Sequence, residues 1–374
     1  MKRLLATLIA GCLLFCLSAC DTEDAPSNKQ PSISTSNTEL TGEKLVFGDD
    51  EAKNPIGIMD DMFYFESVVD NKNDTGDHTV LKYNFDTKEI TMLGTIENCT
   101  TASTAYAFLE GDKIFRTQGV AKDGSDVNLH MMIDTVENKI NILRKDDFFP
   151  PLVDTYPVNN TQYIEYQPES FGDEGGYRYY VRIGNTNGEV KEIITKERDF
   201  NGGTTLISVS SYNNIIYTLE YTEDKYNICS YDLNGVQLSC EEIGIVTEFA
   251  NTPDELTGEQ DPLWSMEVIN GYYFFSTGYG RKLVIQKTKA GYVKNEYLSA
   301  SEIARVTCHT VADENRAFFY DYSKQVLVIF NTNTQSKVEY KLEEVSASPY
   351  LTTDGKRVVY SDTNGNLRVA SING

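Results

Sequence analysis

The sequence predicts an all-β fold built from a repeated four-stranded unit, and three observations support this prediction. Tyrosine and phenylalanine, which favour strands, number 24 and 17 among 374 residues, whereas there are only 10 prolines. No apolar stripe with helical spacing persists for long. Short alternating segments that meet at Asp/Asn/Gly turns recur along the chain. The clearest is Asn227–Glu241, which surrounds the hairpin signal Asn234-Gly235.

Seven copies of this unit follow one another. Each copy has a short strand rich in aromatic or aliphatic residues, then a polar loop, then strands joined by a tight turn. The copies comprise Met62–Val68 with Val80–Leu93, Asp112–Gln118 with Leu129–Leu143, Thr161–Gln167 with Tyr177–Ile194, Asn214–Thr222 with Asn227–Glu241, Gly271–Thr277 with Lys282–Leu298, Arg316–Asp321 with Val326–Leu342, and Lys356–Asp362 with Asn366–Ile372.

The spacing of these copies predicts a β-propeller. Equivalent apolar positions recur every 41 to 57 residues, and a four-stranded propeller blade occupies about 40–50 residues. One blade cannot cover both of its faces, whereas blades packed in a ring can. We therefore expect about seven four-stranded blades over residues 44–374, with six or eight blades, or a pair of β-sandwiches, as alternatives. The positions compared are Tyr64, Ile114, Tyr163, Ile216, Tyr273, Phe318 and Val359.

The two ends of this region predict how the ring closes. The last copy ends one strand short, and Lys44–Gly48 precedes the first copy as an unpaired strand. If this N-terminal strand completes the last blade, no sheet edge stays exposed. Over residues 44–374 the chain thus resembles the β-propeller class of extracytoplasmic proteins, although it has no Trp-Asp or Gly-His repeat motif.

The N-terminus has the pattern of an export signal. Lys2 and Arg3 precede the mostly apolar run Leu4–Leu17, which is shorter than the roughly 20 residues of a membrane-spanning helix. The run ends in Leu-Ser-Ala-Cys, which resembles the lipobox of bacterial lipoproteins. The resemblance implies a signal peptide over residues 1–19 and a lipid anchor on Cys20 that holds the protein at the extracytoplasmic side of a membrane. The alternative is an ordinary secretory signal with a chance cysteine.

Composition indicates the nature of residues 20–43, and it argues against nucleic acid as a partner. Residues 20–43 are rich in Ser, Thr, Asn, Asp and Pro, which predicts a flexible tether. The chain has 56 acidic and 33 basic residues, for a formal net charge of −23. A body this acidic is repelled by phosphate backbones, so nucleic acid is not expected as a partner.

Two long insertions and their aromatic residues are the candidate binding elements. Gln167–Gly176 lengthens the third copy, and Glu248–Trp264 separates the fourth copy from the fifth. Long propeller loops gather at the ends of the central channel, where ligands usually bind. Exposed aromatic side chains there would stack on a sugar or a peptide, whereas buried ones would only pack the blades. The candidate residues are Phe171, Tyr177, Tyr179, Trp264 and Tyr272.

Cys229 and Cys240 flank the Asn234-Gly235 turn and form a candidate disulfide. A two-residue turn would place the two cysteines opposite each other on adjacent strands. A type I turn with Gly235 as a bulge would shift the register by one and place them diagonally. Both registers stay open.

The remaining motifs predict neither a metal site nor a cofactor nor catalytic residues. The three histidines are far apart, and the acidic turns do not match a calcium-binding loop, so turn formation explains them better. No nucleophile elbow or phosphate-binding glycine loop is present. We therefore expect a non-catalytic recognition or scaffolding module for a protein, peptide or glycan. The alternatives are a carboxylate-based glycan hydrolase or lyase and a structural subunit of an envelope assembly.

Overall fold

The computed structural model describes twelve segments of the chain, and the predicted signal peptide, Cys20 and most of the predicted tether lie outside them. Within these segments the chain forms thirty strands and one helix. None of the described helices is both long and apolar enough to cross a membrane. The segments are 38–47, 54–71, 75–100, 105–109, 112–122, 125–146, 154–171, 176–199, 202–253, 258–278, 280–306 and 315–372.

The strands form seven blades, which confirms the predicted β-propeller. Each blade comprises four consecutive antiparallel strands, except that the last blade takes one strand from the N-terminus. The pairing of Cys99 with Val120 joins blades 1 and 2 into one eight-stranded sheet. Blade 1 contains β3 (Asn54–Met59), β4 (Met62–Asp70), β5 (Thr75–Asn84) and β6 (Ile90–Thr100); blade 2 contains β7 (Ala105–Leu109), β8 (Lys113–Lys122), β9 (Ser125–Asp134) and β10 (Lys139–Asp146); blade 3 contains β11 (Asp154–Asn159), β12 (Gln162–Phe171), β13 (Gly176–Asn185) and β14 (Val190–Asp199), with the short β15 (Gly202–Gly203) added at its edge.

The other four blades follow the same order. Blade 4 contains β16 (Thr205–Tyr212), β17 (Ile215–Thr222), β18 (Lys225–Tyr231) and β19 (Gln237–Glu242); blade 5 contains β20 (Leu263–Ile269), β21 (Tyr272–Thr277), β22 (Lys282–Thr288) and β23 (Gly291–Lys294); blade 6 contains β24 (Ile303–Arg305), β25 (Arg316–Asp321), β26 (Val326–Asn331) and β27 (Ser336–Leu342); blade 7 contains β28 (Leu351–Thr353), β29 (Arg357–Ser361), β30 (Leu367–Ser371) and the N-terminal β2 (Glu43–Lys44).

The first strand of each blade lies innermost in the ring. β7 contacts β11, β11 contacts β16, β16 contacts β20, and β28 contacts β3. Hydrogen bonds link the inner strands of blades 4 and 5 directly. The hydroxyl of Ser208 accepts a hydrogen bond from the backbone N–H of Met266 at 3.1 Å, and the hydroxyl of Ser210 accepts one from the backbone N–H of Val268 at 3.0 Å. The fourth strand of each blade is therefore on the rim.

The ring closes through the N-terminal strand, as predicted. β2 pairs antiparallel with β30, and the backbone N–H of Leu45 donates to the carbonyl of Leu367 at 2.9 Å. The folded body begins earlier than the predicted boundary at Lys44, however. A further strand, β1 (Thr38–Leu40), pairs parallel with β27, because the side chain of Leu40 is buried in the core that blades 6 and 7 share. The last six residues of the predicted tether, 38–43, thus belong to the fold.

Aromatic side chains fill the spaces between blades. Tyr64 of blade 1 packs against Phe108 of blade 2 with ring centroids 5.5 Å apart, and Phe274 of blade 5 packs in the same way against Phe319 of blade 6. Such pairs bury large apolar areas and add edge or offset ring contacts. The abundance of tyrosine and phenylalanine in the sequence is therefore largely explained by blade packing.

One face of the ring carries the long connections, and we call it the loop face. Strand direction alternates within a blade, so the connections from second to third strand and from each blade to the next all lie on this face. It also carries the only helix in the described segments, α1 (Gly244–Asn251), within the insertion between blades 4 and 5. The sequence predicts a loop for this insertion. It forms a helix because Val246 and Ala250, four residues apart, are buried together against blades 4 and 5.

The hairpin around Asn234-Gly235 combines both predicted registers. At the turn, Asp232 pairs with Val236, and Gly235 has a positive φ of 85°, so the register is shifted by one. A second irregularity leaves Leu238 unpaired and restores the original register. Cys229 and Cys240 therefore face each other and form a disulfide.

Loss of this disulfide is expected to lower the free energy of unfolding by about 2–3 kcal/mol, because the bridge closes a short loop and restricts the unfolded chain. The two cysteines are 11 residues apart in sequence. Urea denaturation with and without a reductant measures the effect. Cys229→Ala/Cys240→Ala should be insensitive to the reductant, whereas Cys99→Ala, which removes a buried free thiol, should stay sensitive. Equal stability of the oxidised and reduced protein would contradict the expectation.

Candidate functional site

The exposed aromatic side chains of the described segments lie on the loop face. Trp264 at the start of the inner strand β20 is 69% exposed, and Tyr177 at the start of β13 is 46% exposed. Tyr322, in the turn that connects β25 with β26, is 41% exposed. Since Trp264 begins an innermost strand, it lies beside the mouth of the central channel. Exposed rings on one face can bind a partner by stacking.

A β-bulge turns Trp264 away from the core. Leu263 pairs with Thr277 and Ser265 with Ser276, so Trp264 has no partner across the ladder. Bulges re-aim single side chains in this way and are frequent next to binding sites. The tryptophan was among the predicted binding residues, but the sequence contains no signal for the bulge.

The other predicted binding residues are placed differently. Tyr179 is 7% exposed and packs in the core between blades 3 and 4, and Tyr272 is 1% exposed in the core between blades 5 and 6. The backbone of Phe171 ends β12, while its side chain lies outside the described structure. Of the five candidates, the structure thus exposes Tyr177 and Trp264. Tyr179 and Tyr272 are packing residues, because they occupy inward-facing positions of their strands.

A buried aspartate attaches the insertion between blades 4 and 5 to the propeller. Asp261 is fully buried, and its carboxylate accepts hydrogen bonds from the hydroxyl of Thr277 and from Nε of Arg281, the latter at 3.1 Å. The guanidinium of Arg281 also donates to the carbonyl of Phe249 in α1 at 3.2 Å and lies 4.7 Å from its ring centroid. This anchor, which sequence reasoning missed, holds the segment that leads into Trp264.

A buried charge cluster joins blades 1 and 2. Glu66 of β4 forms an ion pair with the fully buried Arg116 of β8. The Glu66 carboxylate is also 2.8 Å from Nδ1 of His78 and accepts a hydrogen bond of 2.8 Å from the hydroxyl of Tyr106. Burial alone would raise the pKa of Glu66, but these partners outweigh it and lower the pKa to about 2.

A second cluster joins blades 2 and 3. The buried Glu165 of β12 lies 2.7 Å from a terminal guanidinium nitrogen of Arg144 and 3.3 Å from Nδ1 of His130. Nε2 of His130 is 2.8 Å from Asp146, which also pairs with Arg144 at 3.1 Å. The four side chains form a closed set of two acids and two bases, so a nearly neutral group of charges crosses the blade interface.

The environment of this cluster keeps both of its carboxyl groups ionised. Burial alone would raise the pKa of Asp146, but the hydrogen bond and charge of His130, with Arg144, lower the pKa to about 2. The pKa of Glu165 is lowered by the same two partners in spite of burial. For His130, burial alone would lower the pKa, yet hydrogen bonds to Asp146 and Glu165 raise it above 6.5. A glycosidase acid needs a raised pKa, and these carboxyl groups have lowered ones.

The His130 cluster predicts a specific dependence of stability on pH. Because the pKa of His130 is raised on folding, its stabilising effect is complete below the unfolded value of 6.5 and is lost as the pH rises through the folded value. We expect His130→Gln to destabilise the protein more at pH 5 than at pH 9. Chemical denaturation of both proteins across this range measures the difference. A mutational loss that is equal at both pH values would contradict it.

The acidic and sulfur groups that could suggest a metal site have structural roles where the structure describes them. The only cluster with metal-binding spacing among them contains Glu220 and the two disulfide cysteines, which have no thiolate to offer. The carboxylate of Asp362 accepts backbone hydrogen bonds of 2.9 Å from Asn364 and Asn366, as expected for an Asx turn. Much of the acidic turn Asp123–Asp126 lies outside the described residues.

Comparisons with known proteins support the fold. No protein-family model and no curated protein matches the sequence. The structure is similar to the N-terminal domain of Nup159, with 10% identity and a TM-score of 0.50 over 91% of this chain and 98% of that one. It is also similar to Pyrococcus horikoshii acylaminoacyl peptidase, with 9% identity and a TM-score of 0.51 over 83% of this chain. The match spans 48% of the peptidase, about half of its length.

These neighbours place the chain among β-propellers. A virginiamycin B lyase from Staphylococcus aureus also superposes, with 12% identity and a TM-score of 0.42 over 90% of this chain and 99% of that one. Proteins with a propeller-like fold include both enzymes and scaffolds, so the fold does not assign an activity.

Proposed function

We propose that this protein is a lipid-anchored, extracytoplasmic β-propeller that recognises a protein, peptide or glycan through its loop face without catalysing a reaction. The observation that carries the proposal is the position of Trp264. A bulge exposes its ring at the channel mouth, and the buried Asp261 anchor holds the segment before it. A large apolar side chain kept in solvent at such a position is typical of a binding site.

The anchoring part of the proposal is supported by the lipobox-like residues that end at Cys20. The disulfide between Cys229 and Cys240 is consistent with it, because disulfides persist in oxidising compartments outside the cytoplasm. The first described strand begins at Thr38, and residues 21–37 separate it from Cys20 in the sequence. A flexible connection of this length would hold the propeller beside a membrane without insertion.

A non-catalytic role is favoured over the hydrolase alternative by the state of the buried acids. Glu66, Glu165 and Asp146 each have a lowered pKa and a cationic partner. They therefore lack the proton that a general acid must donate near neutral pH. Their positions between blades, rather than at the channel mouth, also suit a structural role.

A binding screen with a matched control tests recognition. The purified full chain is applied to arrays of envelope glycans and of peptides, and any ligand is then titrated against Trp264→Ala. We expect affinity to fall at least about tenfold, because exposed anchor aromatics dominate binding energies. Leu238→Ala, on the rim strand β19, removes a side chain that is 56% exposed and should leave affinity unchanged. Turnover of a glycan would instead favour a hydrolase, and a stoichiometric membrane partner without ligand binding would favour an assembly subunit.

Lipidation is tested separately. In a bacterial host given an alkyne-labelled fatty acid, the wild-type chain should incorporate label and partition into detergent, whereas Cys20→Ala should do neither. Label that persists in Cys20→Ala would reject the anchor at this residue.

A further inference from the structure

A polar cleft of about 600 Å³ lies between blades 2 and 3, away from Trp264. One wall is the end of the rim strand β10, and the other wall comprises residues of β12, β13 and β14. Its size is within the range of small-ligand sites, which is about 300–1,000 Å³. Lys145 and Asp146 line the first wall, and Gln167, Tyr180, Arg182 and Glu192 line the second.

Two cations in this cleft have no carboxylate partner among the described residues. The guanidinium of Arg182 donates to the side-chain carbonyl of Gln167, and its central carbon lies 4.9 Å from the ring centroid of Tyr180. Glu165 on β12 and Glu192 on β14 are both cross-strand neighbours of Arg182, yet no ion pair of 4 Å or less joins either of them to it. Lys145 is exposed and likewise lacks an ion pair within the described segments. In a chain with 56 acids and 33 bases, unpaired cations that converge on one cleft are unexpected.

The acids of the cleft are already engaged by other groups. Asp146 is held by His130 and Arg144, as described above. The carboxylate of Glu192 accepts a hydrogen bond of 2.6 Å from the hydroxyl of Thr195, and that of Glu169 interacts with the hydroxyl of Tyr180. Arg182 and Lys145 are therefore the charged groups left to meet a ligand.

We propose that this cleft binds a sugar that carries a carboxylate, with Arg182 and Lys145 holding the carboxylate and Gln167 and Tyr180 contacting the sugar ring. The planar guanidinium of Arg182 matches a carboxylate in a two-point hydrogen bond. Gln167 is 6% exposed and presents a fixed amide, which suits recognition of a ring hydroxyl. Tyr180 supplies an aromatic surface of the kind on which sugar rings stack. This site is independent of the loop-face function proposed above.

Glucuronate, glucose and inorganic phosphate are the probes for this proposal. Calorimetric titration of the full chain should give saturable glucuronate binding with a dissociation constant near or below ~1 mM, a range accessible to a single polar pocket. Glucose, which has no carboxylate, should bind at least about tenfold more weakly, and phosphate should not reach the affinity of glucuronate.

Matched variants locate the site. Arg182→Gln should weaken glucuronate binding at least about tenfold. Lys145→Gln should weaken it about threefold, and because Lys145 is exposed, this substitution does not put folding at risk. Lys191→Gln is the control, because Lys191 lies on β14 between the lining residues Val190 and Glu192 and so faces the opposite side of the sheet. It should bind like the wild type, and Trp264→Ala should as well.

Four results would overturn the proposal, and the first three concern the cleft itself. These three are the lack of saturable glucuronate binding to the wild type, binding that neither Arg182→Gln nor Lys145→Gln weakens, and equal binding of glucose or phosphate. Binding that Trp264→Ala abolishes would also overturn it, because the glucuronate site would then be on the loop face.

Discussion

A chain that starts at Thr38 is expected to be as stable as the full chain, whereas a chain that starts at Val46 should lose at least about 4 kcal/mol. The second truncation removes β1 and β2, and with them the buried side chains of Leu40 and Leu45. Truncation of one buried leucine to alanine usually costs about 2–5 kcal/mol. Blade 7 would also expose the edge of β30, which invites aggregation.

Urea denaturation and light scattering of the two truncated proteins measure this difference. Leu45→Ala in the full chain provides a milder version, and Val46→Ala is its matched control because Val46 is 64% exposed. We expect a clear loss of stability for the first substitution and none for the second. If both truncated proteins unfolded at the same urea concentration, the N-terminal strand would not close the ring.

Arg116→Met is expected to destabilise the protein by about 3–5 kcal/mol, since it leaves the carboxylate of Glu66 buried without its cation. Arg116 is fully buried, pairs with Glu66 and donates a 2.6 Å hydrogen bond to Gln118. Restoring charge balance with Glu66→Gln/Arg116→Met should recover part of the loss, because the buried uncompensated charge is then gone.

The pH dependence of the same variants provides an independent readout. The pKa of Glu66 is lowered to about 2, so its stabilising effect is present above pH 4.5 and is lost as the pH falls towards 2. In Glu66→Gln, the free energy of unfolding should depend less on pH between pH 4.5 and pH 2. Arg178→Met is the control, because its ion pair with Glu197 is on the surface and such pairs contribute little. A similar loss for both arginine substitutions would contradict the assigned role of Arg116.

The blades were predictable because their signals are local and repeated. Alternating apolar residues and Asx/Gly turns define each strand pair, and the period of the copies defines the ring. The start of the fold was harder to predict. Residues 38–43 have the composition of a tether, and their strand exists because Leu40 meets a core made by blades 6 and 7, far away in sequence. The helix α1 was missed because eight residues give too short a periodic signal within an acidic insertion.

In the candidate sites, too, some features are visible in the sequence and others depend on the tertiary structure. Trp264 could be singled out as the only tryptophan, but its exposure depends on a bulge, while Tyr179 and Tyr272 had the same aromatic signal and are buried. The hairpin cysteines could be paired in either of two registers. A second bulge at Leu238 decided between them, and sequence periodicity does not reveal bulges.

By itself, the sequence determined the fold class, an approximate number of blades, the closing strand and the lipobox-like N-terminus, because these depend on local pattern and period. Only the tertiary structure decided which charges meet. The pair of Arg116 and Glu66 and the cluster of four side chains that includes His130 both join strands of adjacent blades. Arg182 and Lys145 meet in the cleft between blades 2 and 3. Which of 89 charged residues converge depends on how blades pack against one another, and that packing is not encoded in any single repeat.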